Sequence, residues 1–257
     1  MHIRFENVGV TFPGQQPVLK GVSFSIPDGK RVALIGASGA GKSTVAGLLI
    51  RKRDPDEGVV YINDRPLSEY NLSSVLAHMG VILQRPEIIS GTVRENILLA
   101  MPFQVDGSMT DDEIWKIIDL VSPEMRTRFN GHGLDTKVGK QGLQLSGGEQ
   151  QRICVMRALI KQPEFLIVDE ATSSLDSETE ESVQQGIDTA LSQGISALVI
   201  AHRFSTLRNC NHYIVLRRLS DCASGEPQVE AACDSLDELY DRSPTFKRLA
   251  DKQGFVP

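Results

Sequence analysis

The chain has 257 residues, 40% hydrophobic and 5% aromatic, with 27 Lys and Arg against 33 Asp and Glu and a formal charge of −6. That length and apolar content are enough to bury a full core as one domain with lobes, and the acidic balance argues against duplex-DNA binding, which needs a basic stripe. No apolar run approaches the ~18 residues that read as a bilayer span, and Met1-His2-Ile3 begins no signal peptide. Cys154, Cys210, Cys222 and Cys233 form no CxxC pair or metal spacing, so they read as reduced packing thiols of a cytosolic protein.

From the N-terminus, residues 1 to about 30 alternate in strand fashion at Ile3, Phe5 and Val8, then at Val22, Phe24 and Ile26; residues 58–64 resume at Val59 and Tyr61. This period predicts an antiparallel β lobe. Val32 to Ile35 reads as a buried strand, and Val45 to Ile50 begins a helical pattern. Between them lies GASGAGKST, Gly36 to Thr44. Gly36, Gly39 and Gly41 let the backbone turn its N–H groups inward at the positive end of a helix, where phosphate oxygens find several donors. Ser38, Ala40 and Thr44 complete the cradle. The GxxxxGK[ST] spacing brings Lys42 to the β- and γ-phosphates of a nucleotide and the Ser43 hydroxyl to Mg²⁺.

Val81 to Leu83 reads as the next short strand, ending at Gln84. A mostly helical insertion follows between Pro86 and Gln162, with Asp111 to Val121 and Gln150 to Lys161 as its clearest helices. Ahead of the second stands LSGGE, Leu145 to Glu149. Ser146 is a natural N-cap and Glu149 falls at N3, a capping box, so Gly147 and Gly148 open a helix that is a second phosphate-binding device. Phe165 to Val168 is another buried strand, closed by Asp169 and Glu170. Adjacent carboxylates there are costly unless a cation or a reacting group uses them. Successive strand side chains point opposite ways, so Asp169 is expected at Mg²⁺ and Glu170 at the attacking water. Leu198 to Ala201 precedes His202. Buried runs separated by helical stretches predict a parallel α/β core. Beyond Leu216, polar and turn residues from Arg217 to Val229 predict an enlarged hairpin, and Ser235 to Leu239 and Thr245 to Ala250 read as short helices.

Together GASGAGKST, LSGGE and FLIVDEATSSLD (Phe165 to Asp176) resemble the ATP-binding cassette, the engine domain of ABC transporters. The resemblance covers nearly the whole chain and thins after about Leu216. It implies an α/β ATPase with a P-loop NTPase parallel-sheet core, an antiparallel β lobe and an inserted helical subdomain carrying the signature. Residues 1–85 and 163–216 are then the β lobe plus core, 86–162 the helical subdomain, and 217–257 a variable C-terminal segment. Two chains are expected to sandwich two Mg·ATP. Ser146, Gly147 and Gly148 of one chain close over the γ-phosphate held by the other chain's loop. Gln84 matches the residue that senses Mg²⁺ and γ-phosphate while touching the membrane half of a transporter. His202 matches the switch His at the γ-phosphate, and Ser174, Leu175 and Asp176 match the loop that crosses the dimer interface. The implied catalytic set is Glu170, His202, Gln84 and Lys42; the metal set is Ser43, Gln84 and Asp169.

Two positions depart from the family. Phe12, in VTFPG, stands where a Tyr commonly stacks on adenine; Phe keeps the π-face and loses the hydroxyl, with packing in the β-rich lobe as the alternative role. Val138-Gly139 is followed by Lys140 where exporters usually carry Glu, which bears on contact with a membrane partner. SGTVRENI, Ser90 to Ile97, and KVGKQGLQLSGGEQQR are similar to exporter cassettes, and among these to bacterial peptide and bacteriocin exporters. Exporters usually fuse the cassette behind membrane helices. The chain is therefore expected to be an excised domain or a separate subunit, paired as a homodimer or heterodimer and joined to a transmembrane domain at the cytoplasmic face. The alternative class is a soluble ABC ATPase of DNA repair or translation. Those enzymes split loop from signature by long heptad coils, or carry two cassettes per chain, and neither feature occurs in this sequence.

Overall fold

Strands β1 (Ile3–Thr11) and β2 (Pro17–Ile26) form an antiparallel pair with Ile3 opposite Ile26 and Phe5 opposite Phe24. The two Phe rings stack with centroids 4.5 Å apart, an aromatic cross-strand pair that pins the register. Strand β3 (Arg31–Ile35) is buried from Val32 onward, as befits a strand covered on both faces, and leads to helix α1 (Lys42–Leu49). Strand β4 (Glu57–Ile62) pairs with β1 and with the short β5 (Arg65–Pro66). The alternation pointed at Val59 and Tyr61 in β4, but the core receives Val60 and Ile62. The run Val59-Val60-Tyr61-Ile62 is apolar throughout and reads in either phase; pairing decides, since β1 sets Phe5 opposite Val60 and Ile3 opposite Ile62. Tyr61 lies on the outer face, with the Arg4 guanidinium 4.1 Å from its ring centroid.

Helix α2 (Leu72–Ala77) precedes β6 (Met79–Ile82), which ends one residue earlier than its apolar run and leaves Leu83 44% exposed. Then come β7 (Gly91–Thr92), α3 (Val93–Leu98), α4 (Asp111–Val121), α5 (Glu124–Arg128), β8 (Lys137–Val138) and α6 (Gly147–Leu159). Strand β9 (Phe165–Asp169), α7 (Ser177–Leu191), β10 (Ser196–Ile200), α8 (Phe204–Leu207) and β11 (His212–Leu216) follow. Strand β12 (Val229–Cys233), α9 (Leu236–Arg242) and α10 (Pro244–Lys252) end the series. This computed structural model describes residues 1–101, 109–129, 131–140, 142–169, 177–192, 194–200, 204–252 and 254.

The chain divides into two units, Met1–Val75 with Ser196–Pro257, and Leu76–Ile195. The first holds an antiparallel sheet of order β2-β1-β4-β5 and a set of strands ordered β12-β11-β3-β10. In that set β11, β3 and β10 run parallel, and β12 joins β11 antiparallel. Val32, Leu34, Val199, Ile214 and Val215 fill its core. The β11–β12 connection is the enlarged hairpin, carrying a 3-10 turn at Leu219–Asp221.

In the second unit β6 and β9 are parallel neighbours, with Met79 opposite Phe165 and Ile82 opposite Val168. The chain between them supplies α3 to α6 and the antiparallel ribbon of β7 with β8. Helix α4 starts with a capping box of Thr110 and Glu113 and buries Ile114, Ile118 and Val121, one stripe at helical spacing. Helix α6 packs against α3, α4 and α7 as the axis of this unit. No helix among the described residues is long and apolar enough to cross a membrane.

Candidate nucleotide-binding site

In the first unit, the loop from Gly36 to Gly41 links β3 to α1. Gly41 is the N-cap of α1 with φ 98°, and no side chain caps the helix. A Cβ there would lie 2.5 Å from Leu19 Cδ2, so the left-handed turn and the close approach to β2 both require glycine. Gly36 is required for contact rather than angle: a Cβ would lie 2.2 Å from the carbonyl oxygen of Leu216. The outcome is a helix start with no side-chain cap, the kind of place where an anion binds.

Lys42 is 5% exposed and folds back onto this loop, its Nζ donating to the carbonyls of Gly36 at 2.8 Å and Ala37 at 3.1 Å. A buried ammonium needs such acceptors, and phosphate oxygens are stronger ones. Ser43 and Thr44 line a groove of about 670 Å³ together with Phe12, Gly47, Lys52 and Arg53. Phe12 is half-buried and lies in the wall of this groove, outside the core. The Arg53 guanidinium sits 4.8 Å from its ring centroid and is itself held by Asp56 at 2.7 Å and the Thr11 carbonyl at 3.3 Å. Arg53 is a groove residue with no signature in the sequence.

In the second unit, Asp169 closes β9 and is half-buried, and Gln84 stands exposed two residues beyond β6. Because β6 and β9 run parallel in register, both residues emerge at the same end of the pair. At the start of α6, Ser146 Oγ accepts the Glu149 N–H at 3.2 Å and the Ser146 N–H donates to Glu149 Oε2 at 2.8 Å. The expected capping box is therefore present. Arg128 also binds the Glu149 carboxylate at 2.7 Å. Ser146 and Gly147 are exposed and Gly148 is buried.

Within this unit the signature helix grips the segment that carries Gln84. Gln151 Nε2 donates to the Leu83 carbonyl at 3.1 Å, and Arg157 donates to the carbonyls of Glu87 at 2.9 Å and Asn96 at 2.8 Å. Fully buried Asn96 accepts the Ile89 N–H at 2.9 Å and donates to the carbonyls of Ile89 and Thr92, each at 3.0 Å. Nothing in the sequence singled it out, since Asn96 follows Arg94 and Glu95 in the mixed run Val93–Leu98. Glu87, Ile88, Ile89, Lys140 and Leu145 line an open groove of about 710 Å³ on this unit. Lys140 is exposed on its rim, and Ile89 is 41% exposed.

Glu170, Ser174, Leu175, Asp176 and His202 lie outside the described residues. All four cysteines are free, and burial pushes the Cys154 thiol up, away from the reactive thiolate.

The sequence pattern of the ABC transporter family matches residues 19–173, from β2 to just past β9. The chain is 40% identical over 220 residues to an ATP-dependent lipid A-core flippase of Alcanivorax borkumensis, covering 84% of this chain and 36% of that protein. It is 41% identical over 216 residues to the ABC multidrug transporter mdr2 of Aspergillus fumigatus, covering 83% and 26%. The solved structure of a bacterial Atm1-family ABC exporter with ATP bound aligns with a TM-score of 0.82 at 31% identity, over 99% of this chain and 42% of that one. The chain thus spans between 26% and 36% of these two relatives' length. It belongs to the ABC transporter family, as an ATP-binding, ATP-hydrolysing domain of the exporter type.

Proposed function

We propose that this domain is the motor of a membrane exporter. Two copies close around ATP, pull on a transmembrane partner, and reopen after hydrolysis. The observation that carries this reading is a pair of helix starts in one chain: an uncapped one behind Lys42, and an exposed one at Ser146. A chain that binds phosphate on its own first loop has a second device left to offer a partner. The energy of closure comes from ATP binding as much as from its cleavage.

Residue roles follow from chemistry. Lys42 exchanges the carbonyls of Gly36 and Ala37 for the β- and γ-phosphates, keeping its hydrogen bonds while meeting opposite charge. Phe12 stacks on the base, supported by its place in the groove wall beside Ser43 and Thr44. The Ser43 hydroxyl, the Gln84 amide oxygen and the Asp169 carboxylate are hard oxygen donors of the kind Mg²⁺ takes, and they are the residues that would hold it. Once bound, that ion neutralises charge on the phosphate oxygens. Glu170 polarises the attacking water and His202 contacts the γ-phosphate. Glu87, Ile88 and Ile89 offer the transmembrane partner a groove of mixed polar and apolar lining, tied to the signature helix through Arg157. The domain then works at the cytoplasmic face of a membrane, and cargo choice belongs to membrane helices.

Complementation tests the shared site. Lys42→Ala disables a chain's own loop, and Ser146→Arg blocks the contact it offers its partner, so each variant alone is expected to be nearly inactive. Mixed, they form heterodimers with one intact site. Random pairing makes about half of the dimers mixed, each with one site of two, so about a quarter of wild-type ATPase activity returns if sites fire independently. Full activity of Ser146→Arg alone would remove the trans-acting role. DNA-stimulated hydrolysis would overturn the transport reading, and co-purification with a polytopic membrane subunit supports it.

A further inference from the structure

The end of β11 and the enlarged hairpin that follows it meet the phosphate loop at three points, one a close packing contact and two hydrogen bonds. The Leu216 carbonyl packs against Gly36, so closely that a Cβ would come within 2.2 Å of its oxygen. Arg218 Nε donates to the Ser38 carbonyl at 2.7 Å. Gln228 Nε2 donates to the Ala40 carbonyl at 3.2 Å.

Gln228 is 1% exposed, and both ends of its amide are used. Nε2 also lies 3.0 Å from the carbonyls of Val18 and Arg217, and Oε1 accepts the Lys20 N–H at 3.1 Å. One side chain therefore joins β2, the phosphate loop and the hairpin. Arg218 is exposed and spends a long, mobile side chain on a single loop carbonyl, an ordering cost that core packing does not explain.

Peptide planarity gives these ties a direction. In a trans peptide the N–H points opposite to the C=O. A Ser38 carbonyl drawn toward Arg218 turns the Gly39 N–H away from the hairpin, and an Ala40 carbonyl drawn toward Gln228 does the same for the Gly41 N–H. Both peptides lead into glycine, the residue whose backbone rotates most freely, so without the ties both donors would lose their aim.

We propose that Arg218 and Gln228 are positioning residues for phosphate binding, and that the enlarged hairpin belongs to the ATP site as its brace. They preorganise the amides of Gly39 and Gly41 before nucleotide arrives, which lowers the ordering cost of binding. This rests on the reading of Gly36 to Thr44 as the phosphate cradle.

The test compares wild type with Lys42→Ala, Arg218→Ala, Arg218→Lys and Gln228→Glu. It measures ATP affinity by calorimetry, melting without nucleotide, and KM against kcat. Arg218→Ala is expected to bind ATP roughly three- to tenfold more weakly, the effect of one hydrogen bond. Its nucleotide-free melting stays at the wild-type value, and KM rises with little change in kcat, because the aimed amides bind ground state and transition state alike. Arg218→Lys keeps a donor and restores most of the affinity. Gln228→Glu keeps size and the acceptor for Lys20, but turns an oxygen toward three carbonyls, so the folded protein loses more affinity than Arg218→Ala. Wild-type affinity and KM in Arg218→Ala would overturn the proposal, and that variant decides alone if Gln228→Glu does not fold. Failure of the cradle reading shows separately, as ATP affinity that does not respond to Lys42→Ala.

Discussion

Helix α1 begins at Gly41 with no side-chain cap and no acidic residue in its first turn, whereas α6 begins at Ser146 with a reciprocal cap and Glu149 in its first turn. Both expose the positive end of a helix dipole. At α1 no side-chain cap and no carboxylate opposes an incoming anion, and Lys42 adds a full charge beside the helix start. At α6 the Glu149 carboxylate already occupies the Ser146 N–H and offsets part of the dipole, and Arg128 holds that carboxylate in turn. The first start suits retention of nucleotide by one chain. The second attracts phosphate more weakly and suits closure, when a partner chain presents a nucleotide that is already held.

The comparison breaks most severely if holding and hydrolysis cannot be separated. Glu170 belongs to neither helix start, so Glu170→Gln keeps size and hydrogen bonding while removing the charge that draws a proton from water. Turnover is expected to fall by ~10²–10⁴ with ATP binding intact. The closed dimer should then accumulate, and size-exclusion chromatography with Mg·ATP would resolve it from monomer. Normal hydrolysis by this variant would move the role to another residue, with His202 next in line.

A smaller effect tests how the holding side divides its grip between phosphate and base. Phe12→Ala removes the ring from the groove beside Ser43 and Thr44. ATP affinity should weaken by ~1–3 kcal/mol, the value of a base–aromatic stack. Discrimination among purines should stay poor, because a π-face reads no hydrogen-bond pattern. Unchanged affinity with lower thermal stability would return Phe12 to a packing role.

Legibility in the sequence followed how local each feature is. The capping box at Ser146 is set by residues three apart, and helix α6 starts where that spacing put it. The buried strands around Val32, Leu166 and Leu198 were equally plain, because a strand covered on both faces is apolar at every position. The phase of β4 was not, since Val59 to Ile62 is apolar throughout and only pairing with β1 chooses Val60 and Ile62 for the core. Arg53, Asn96, Gln151, Arg157, Arg218 and Gln228 were hidden for a common reason. Each reaches a backbone carbonyl that its own side-chain type does not specify, so the bond exists only once the chain has folded. The hairpin from Arg217 was visible as an enlargement, but its contacts with the phosphate loop were not.

The smallest expected effect bears most directly on the two helix starts. Glu149→Ala removes the acceptor for the Ser146 N–H and the partner of Arg128, while Ser146 Oγ still accepts the N–H at position 149. Losing half of a capping box costs about 1 kcal/mol. In a domain of this size that lowers the melting temperature by about 2–4 °C. ATP affinity of a single chain should stay at the wild-type value, because α1 and its loop hold the nucleotide and α6 serves the partner. ATP-driven dimerisation should shift in a direction that reports what Glu149 does there. If its carboxylate mainly opposes the approaching phosphate, the variant dimerises at lower ATP; if it mainly fixes the geometry of the start, dimerisation needs more. A loss of single-chain ATP affinity comparable to that of Phe12→Ala would mean that the two starts are not independent, and the division between holding and closing would fall.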